Sequence, residues 1–376
     1  MKTFPKPTGE YKVGTRTFTV YNTRKEDLDP SGKTMRHVPA RLYYPTDNVD
    51  GLEHGRSMTR SESIGIKKAF MVPVNYDKME ATGENVSECF VNAPFIADKK
   101  FPLIVFNHGY FSYVEGNSFL LIELASRGYF VMSVGHPYEG ASTDFDDGTY
   151  QLLDKSLAKK MYDPYLGGIL AAVKVTKCKG SLEEQDKLFD ELQDKYCGFL
   201  KTRIDAWITD TDIAVKYLRE NFADQLDLTN GIGVAGHSHG GAVAYKYLLN
   251  NDNDYTCGIN IDGGLFGDHD VKTNHKPFLQ ISCKDNEKVV AKGYLNHTVP
   301  AYKVLFRDMK HVGFSDMKHN MPQSNMLAGK LDSDLAHENM CKVFLEFFDC
   351  YLKKLKDTPD LKSDNVIMVT EFAPDV

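Results

Sequence analysis

The sequence predicts an α/β fold in which a mostly parallel central sheet is flanked by helices. Short apolar strands at residues 101–109 and 129–135 enclose a helix at 117–127, the spacing of parallel strands joined by a right-handed crossover. A second strand-turn-helix unit follows, with its strand at residues 232–235. The strands and helices run without a linker-like break, so we expect one domain over residues 1–376.

The turn after that second strand carries a motif with a chemical meaning. Residues 236–240 read Gly-His-Ser-His-Gly, and Gly-x-Ser-x-Gly between a strand and a helix is the nucleophile elbow of the α/β-hydrolase fold. The turn is so tight that Ser238 is expected to have a strained backbone and an exposed hydroxyl. Gly236 and Gly240 would leave room for the neighbouring strand and helix. Ser238 is therefore the candidate nucleophile.

Composition excludes several functional classes. The chain is 42% hydrophobic and 26% charged, which is typical of a globular protein with a large core. Its formal net charge of −7 is spread without a basic patch, so nucleic-acid binding is not expected. No apolar run reaches the roughly 18 residues of a membrane span. The first ten residues lack the apolar core of a signal peptide, and we expect a cytoplasmic protein.

The seven cysteines have no Cys-x-x-Cys spacing. We therefore expect reduced thiols rather than a disulfide framework or a zinc site. His269 and His275 lack a convincing third ligand, and the sequence predicts no metal and no cofactor.

The remaining pattern fits a hydrolase with an insertion. Residues 11–44 predict opening antiparallel strands, and residues 140–200 predict a helical lid. The apolar stretch 169–173 is expected to pack on the body of the protein rather than to touch lipid, so membrane contact is not predicted.

Later elements follow the same alternation of strands and helices. The sequence predicts an amphipathic helix at 203–222 and a closing helix at 336–356. Strands are predicted at 256–262, 277–283 and 303–307. The strand at 303–307 is expected to be the final strand of the sheet.

A serine nucleophile needs a histidine base, and the fold predicts where this base should lie. In α/β-hydrolases the triad follows the chain order Ser, acid, His on loops after successive strands. His311 follows the last predicted core strand and precedes the closing helix. His319 lies eight residues later and His337 lies inside that helix, so His311 is preferred.

Two acids compete for the third position. Asp262 ends the strand after the elbow unit, and Asp285 follows the next strand. Spacing alone does not choose between them, and general topology slightly favours Asp285.

An oxyanion hole requires two backbone N–H groups. One is expected from His239, the residue after the nucleophile. The other is expected from the loop after the strand at 101–107, where Tyr110 follows His108-Gly109.

Several segments together resemble the platelet-activating-factor acetylhydrolase family, of the plasma and type II, group VII phospholipase A2 kind. The segments are residues 101–109, 124–131, 236–241, 257–262, 310–311 and 314–316, with a weaker echo at 41–45. The chain departs from the family pattern at His239, where phenylalanine is usual, and in residues 46–99 and 140–200.

The resemblance implies a set of roles and an activity. It places the acid of the triad at Asp262 and the oxyanion donors at Tyr110 and His239. It also implies calcium-independent cleavage of short or oxidised acyl chains from phospholipids.

We therefore expect a serine ester hydrolase that forms an acyl-enzyme and acts on small-molecule or lipid esters. Two alternatives stay open. One is a general carboxylesterase of the dienelactone-hydrolase-like branch, acting on polyester, pigment-ester or acetyl-ester substrates. The other is a catalytically silent relative that serves as a binding module.

Overall fold

The computed structural model describes residues 4–29, 31–269, 273–320 and 325–374. The chain divides into two compact units. The first comprises Met1–Asp154 and Thr209–Thr229, and the second comprises Lys155–Ile208 and Asn230–Val376. The single domain expected from the sequence stays a prediction.

The first unit is built on a mixed sheet. The strands of this unit are β1 (Lys12–Lys25), β2 (Met35–Thr46), β3 (His54–Arg56), β4 (Val86–Val91), β5 (Phe101–Asn107), β6 (Phe130–Val134), β7 (Ser142–Asp144), β8 (Tyr150–Leu152) and β9 (Leu226–Asp227). Strands β7 and β8 form a separate two-stranded sheet. Strand β5 runs parallel to β6 and β9, β6 runs antiparallel to β2, and β2 runs antiparallel to β1. Strand β4 joins β1 in parallel and β3 in antiparallel orientation.

The described part of this unit contains the helices α1 (Arg60–Phe70), α2 (Tyr76–Thr82) and α3 (Ser118–Ser126). Helix α3 links the parallel strands β5 and β6, and all its residues are buried. Gly128, with φ 85°, lies where the chain turns back into β6, a conformation that costs glycine little. The predicted strand-helix-strand unit is thus present.

The second unit contains a largely parallel sheet. Its helices are α4 (Tyr165–Thr176), α5 (Leu182–Tyr196), α7 (His239–Leu249), α8 (Met317–Asn320), α9 (Asn325–Ala328) and α10 (Ser333–Tyr351), and α6 (Gly198–Asn221) begins in this unit and ends in the first. Its strands are β10 (Ile232–His237), β11 (Tyr255–Ile261), β12 (Phe278–Ser282), β13 (Ala301–Phe306) and β14 (Ile367–Phe372). Strands β10 to β13 are successive parallel neighbours.

Strands β10 to β12 are buried almost throughout, as expected for parallel strands covered on both faces. Their carboxyl ends meet at one edge, because parallel strands share one direction. The fold is that of an α/β-hydrolase, as the sequence predicts.

Three features of the structure differ from the sequence prediction. Strand β13 is not the last strand, because β14 pairs with it in antiparallel orientation. The apolar stretch 169–173, expected to be packed, exposes Ile169, Leu170 and Val173. The 140–200 segment also opens with the hairpin β7–β8 and a 3-10 turn, Lys155–Lys160, before its two helices.

No helix in the described ranges is both long and apolar enough to cross a membrane. All seven cysteines lie in those ranges, and none forms a disulfide. Six are buried and Cys178 is half-buried.

Candidate active site

Ser238 lies at the sharp turn between β10 and α7. Its φ is 56° and its ψ is −119°, a region that residues with a side chain seldom adopt. The turn also needs Gly241, because a Cβ there would lie 1.8 Å from Oδ1 of Asn260. Backbone strain and close packing together hold the half-buried Ser238 hydroxyl at the end of the strand.

His311 reaches this hydroxyl from the loop after β13. It begins a 3-10 turn, His311–Phe314, and its Nε2 lies 2.9 Å from Oγ of Ser238. The side chain is 39% exposed, so a substrate or a water molecule can reach it. The structure thus brings the predicted base and the predicted nucleophile together.

Asp262 contacts the other ring nitrogen of His311. Oδ2 of Asp262 lies 2.7 Å from Nδ1 of His311, and the carboxylate is fully buried. Asp262 directly follows β11, the parallel neighbour of β10. Asp285, the competing acid, is exposed to solvent. Of the two acids that the sequence offers, Asp262 is the one that the fold brings to His311.

Two further residues donate hydrogen bonds to Asp262. The backbone N–H of Cys283 donates to Oδ1 at 2.7 Å, and the Cys283 thiol donates to Oδ2 at 3.2 Å. Nδ2 of Asn286 donates to Oδ2 at 2.8 Å. Burial, together with the nearby Asp262 carboxylate, raises the pKa of the Cys283 thiol well above its usual range, so this sulfur stays protonated and keeps donating.

Sequence reasoning missed Cys283 and Asn286. Both follow β12, so only the parallel register of β11 and β12 brings them to Asp262. A polar residue soon after a core strand is the one sequence signal that could have identified them.

His237 supports the base from the elbow itself. Its Nε2–H donates to the backbone carbonyl of His311 at 3.1 Å, and the two rings lie 4.8 Å apart with an interplanar angle of 33°. His237 has no role in the sequence prediction. It contacts both the backbone and the ring of His311.

The two predicted oxyanion donors lie in different units. His239 is the first residue of α7, where backbone N–H groups have no partner within the helix. Its buried ring packs edge-on against Trp207, with the ring centroids 4.7 Å apart. Tyr110 follows β5 in the first unit and is also buried. The oxyanion role of both residues stays a prediction.

The loop that carries Tyr110 starts from a buried polar network in the first unit. Oδ1 of Asn107, at the end of β5, lies 3.0 Å from Nε2 of His136. Nδ1 of His136 lies 3.0 Å from Asp210, which in turn accepts from Arg36 at 2.6 Å. Burial lowers the pKa of His136 to about 3. Uncharged His136 and the Asp210–Arg36 ion pair therefore anchor the base of this loop.

The other candidate histidines lie in different surroundings. His319, in α8, packs edge-on against His337 of α10, and its Nε2 lies 3.3 Å from Asp334. Nδ1 of His275 lies 2.8 Å from the Thr298 hydroxyl. Within the described ranges, no three His, Cys, Asp or Glu side chains are grouped as metal ligands.

Comparison with known proteins agrees with this architecture. A relative from Cavia porcellus named platelet-activating factor acetylhydrolase is 22% identical, over 98% of this chain and 84% of the relative. One of the same name from Canis lupus familiaris is 24% identical, over 94% of this chain and 78% of the relative. A ferulic acid esterase from Streptomyces cinnamoneus superimposes with a TM-score of 0.67 at 19% identity, covering 97% of this chain and 98% of that one.

A protein family also matches nearly the whole chain. The family described as platelet-activating factor acetylhydrolase, isoform II, matches residues 1–367 of the 376. The chain therefore belongs to the platelet-activating factor acetylhydrolase, isoform II, family.

Proposed function

We propose that this protein is a carboxylic ester hydrolase that uses Ser238 as its nucleophile. The observation that carries the proposal is the continuous line of contacts from Ser238 through His311 to Asp262, at 2.9 and 2.7 Å. A hydroxyl is a weak nucleophile unless a base held by an acid is within hydrogen-bond reach. Membership in a family named for an acetylhydrolase supports ester hydrolysis independently.

The proposed reaction has two halves. Nε2 of His311 accepts the proton of Ser238 as Oγ attacks the ester carbonyl, and the resulting tetrahedral oxyanion is stabilised by backbone N–H groups. We assign these to His239 and, from the sequence, to Tyr110. Collapse of the intermediate breaks the ester C–O bond, and His311 returns the proton to the leaving alcohol.

Water completes the cycle. His311 removes a proton from a water molecule that attacks the acyl-enzyme, and the acid product leaves as Ser238 regains its proton. Asp262 holds the ring in the tautomer with the proton on Nδ1 and stabilises the charged ring. No metal or other cofactor takes part in these steps.

The proposed substrate is a lipid ester with a short acyl chain. The relatives named platelet-activating factor acetylhydrolase support this class. The residue after the nucleophile, His239, is a departure from the family pattern and favours testing soluble esters as a second class.

Replacement of the nucleophile tests the proposal. We expect Ser238→Ala to lower kcat on p-nitrophenyl esters by up to about 10⁶-fold, and to abolish labelling by a fluorophosphonate probe. Ser315→Ala is the matched control, because this buried serine in the His311 loop donates only to the Val312 carbonyl. If the probe does not label the wild-type protein, the protein is a catalytically silent relative instead.

A substrate panel tests the second half of the proposal. Hydrolysis rates would be measured on p-nitrophenyl esters from acetate to octanoate and on phospholipids with short sn-2 chains. We expect the short chains and the phospholipids to be preferred. A preference for simple soluble esters over phospholipids would favour the general carboxylesterase.

A further inference from the structure

Helix α4 carries an exposed apolar face. Gly168 and Val175 are buried on one side of this helix, where a Cβ on Gly168 would lie 2.7 Å from Tyr162 and one on Gly167 would lie 2.7 Å from Tyr196. The opposite side is formed by large apolar residues that remain 36–71% exposed: Tyr165, Leu166, Ile169, Leu170 and Val173. We call these five residues the α4 face.

The α4 face is continuous around the helix. At about 100° per residue its five positions span an arc of roughly 140°, and Thr176, the last residue of the helix, also lies inside this arc. Helix α4 is paired with α5 in the second unit, so its remaining surface already has protein partners. A soluble surface seldom groups five large apolar side chains in this way.

Basic residues flank this face on both sides along the chain. Residues 155–179 contain a single acid, Asp163, and six lysines, all exposed: Lys155, Lys159, Lys160, Lys174, Lys177 and Lys179. The whole chain, by contrast, has a formal net charge of −7. Six lysines against one acid give residues 155–179 a formal net charge of +5. Lys174, one of these lysines, lies 3.9 Å from Glu191 of α5.

We propose that the α4 face docks on an anionic lipid surface. An apolar helical face flanked by lysines is the arrangement of a helix that lies in the bilayer interface, with its apolar side chains among the acyl chains and its cations near the headgroups. A second copy of the chain is a poorer occupant. A symmetric pair would bring the same six lysines against one another.

Docking goes beyond the proposed chemistry and does not require hydrolysis. The test is co-sedimentation of the full chain, as wild type and as Ser238→Ala, with vesicles of phosphatidylcholine alone or with added phosphatidylserine. We expect binding to the vesicles that contain phosphatidylserine, weakened by added salt because salt screens the lysines. Equal binding to both compositions, or binding to neither, overturns the proposal.

Two double variants separate the apolar and the charged contributions. Leu166→Asp with Leu170→Asp should lower the vesicle partition coefficient by at least about tenfold, because apolar area that would enter the lipid is lost. Lys159→Glu with Lys177→Glu should lower it by at least about 20-fold on anionic vesicles. Unchanged binding in either variant contradicts the assigned surface.

Matched controls lie elsewhere on the same unit. Leu355 is 68% exposed, so Leu355→Asp changes an equally exposed apolar residue outside α4. Lys330→Glu with Lys342→Glu reverses two exposed lysines elsewhere. These controls should bind vesicles like the wild type. A comparable loss of binding in the controls would mean that overall charge or polarity, and not the α4 face, determines vesicle binding.

Two more measurements distinguish lipid docking from misfolding of the variants and from self-association. Hydrolysis of p-nitrophenyl acetate should be unchanged in the α4 variants, which shows that they are folded. If the wild type hydrolyses nothing, the proposed function fails and the vesicle result still stands. Self-association of the wild type that the leucine variants abolish, without vesicle binding, would assign the α4 face to a dimer and overturn the proposal.

Discussion

Four donors converge on the carboxylate of Asp262. The backbone and the thiol of Cys283, the amide of Asn286 and Nδ1 of His311 all lie within 3.2 Å of its two oxygens. A buried carboxylate needs hydrogen-bond partners to replace the water it has lost. Held by these partners, Asp262 fixes the orientation of the His311 ring. The acid is thus held by groups from the loop after β12 as well as by the base.

Changing the acid tests its assigned role. Asp262→Asn places an amide N–H against His311 and favours the wrong ring tautomer, so kcat should fall about 10³- to 10⁴-fold. Steady-state kinetics on a soluble ester provides the measurement. Asp285→Asn is the control because Asp285 is exposed, and it should retain full activity. If Asp285→Asn lost activity and Asp262→Asn kept it, Asp285 would be the acid of the triad.

Asn286, which donates a hydrogen bond to Asp262, provides a second prediction. Loss of one hydrogen bond to a charged group costs about 1.5–3 kcal/mol. If that bond serves mainly to hold the acid, Asn286→Ala should lower kcat by roughly tenfold or more and leave KM nearly unchanged. Asn286→Gln, which keeps an amide, should recover part of the loss. A rise in KM at constant kcat would place Asn286 in substrate binding instead.

Residues with strong local signals could be assigned from the sequence, and the others could not. Ser238 is marked by the glycines around it, and His311 by its position after a strand. The choice between Asp262 and Asp285 depended on family resemblance, because both end strands. Asn286 and Cys283 carry no signal of their own, since their role depends on a neighbouring strand's register.

Helices and strands likewise divide into those that could be predicted from the sequence and those that could not. The β5–α3–β6 unit and helix α10 were predictable because long apolar or amphipathic runs fix their type. Strand β14 was not predicted, because its six residues alternate only weakly and its partner β13 lies about 60 residues earlier. The exposure of α4 was also missed, since an apolar helix pattern does not tell whether its face is covered.

Two adjacent residues of β14 test its place in the sheet. Ile367 is 1% exposed and Met368 is 38% exposed, because successive side chains point to opposite faces. Ile367→Ala should lower stability by about 2–4 kcal/mol through the cavity it leaves, while Met368→Ala should change it little. Thermal unfolding of the two variants gives the comparison. Equal effects would mean that β14 adds little to the core.

The molecule as a whole should lose stability in mild acid. Burial lowers the pKa of His108 to about 4 and that of His136 to about 3, whereas an unfolded histidine titrates near 6.5. Between about pH 6.5 and pH 4 the unfolded chain therefore binds protons that the folded chain does not. The free energy of unfolding should therefore decrease as the pH is lowered through this window. Each histidine contributes at most about 1.4 kcal/mol per pH unit to this decrease.

Urea unfolding at several pH values between 7.5 and 4.5 measures this dependence. His136→Gln removes one titrating group and should make the pH dependence shallower than that of the wild type. An identical slope in the variant would show that His136 does not contribute. Comparing slopes rather than absolute stabilities separates the titration from the structural cost of the substitution.

Cys178 offers a direct way to observe the molecule at work. It is the half-buried one among seven cysteines that all lie in the described ranges, and it stands two residues beyond the end of α4. The other six are buried. A thiol-reactive fluorophore should therefore attach at this native position first. Its emission would then report, in real time and without an engineered cysteine, when the end of α4 leaves water.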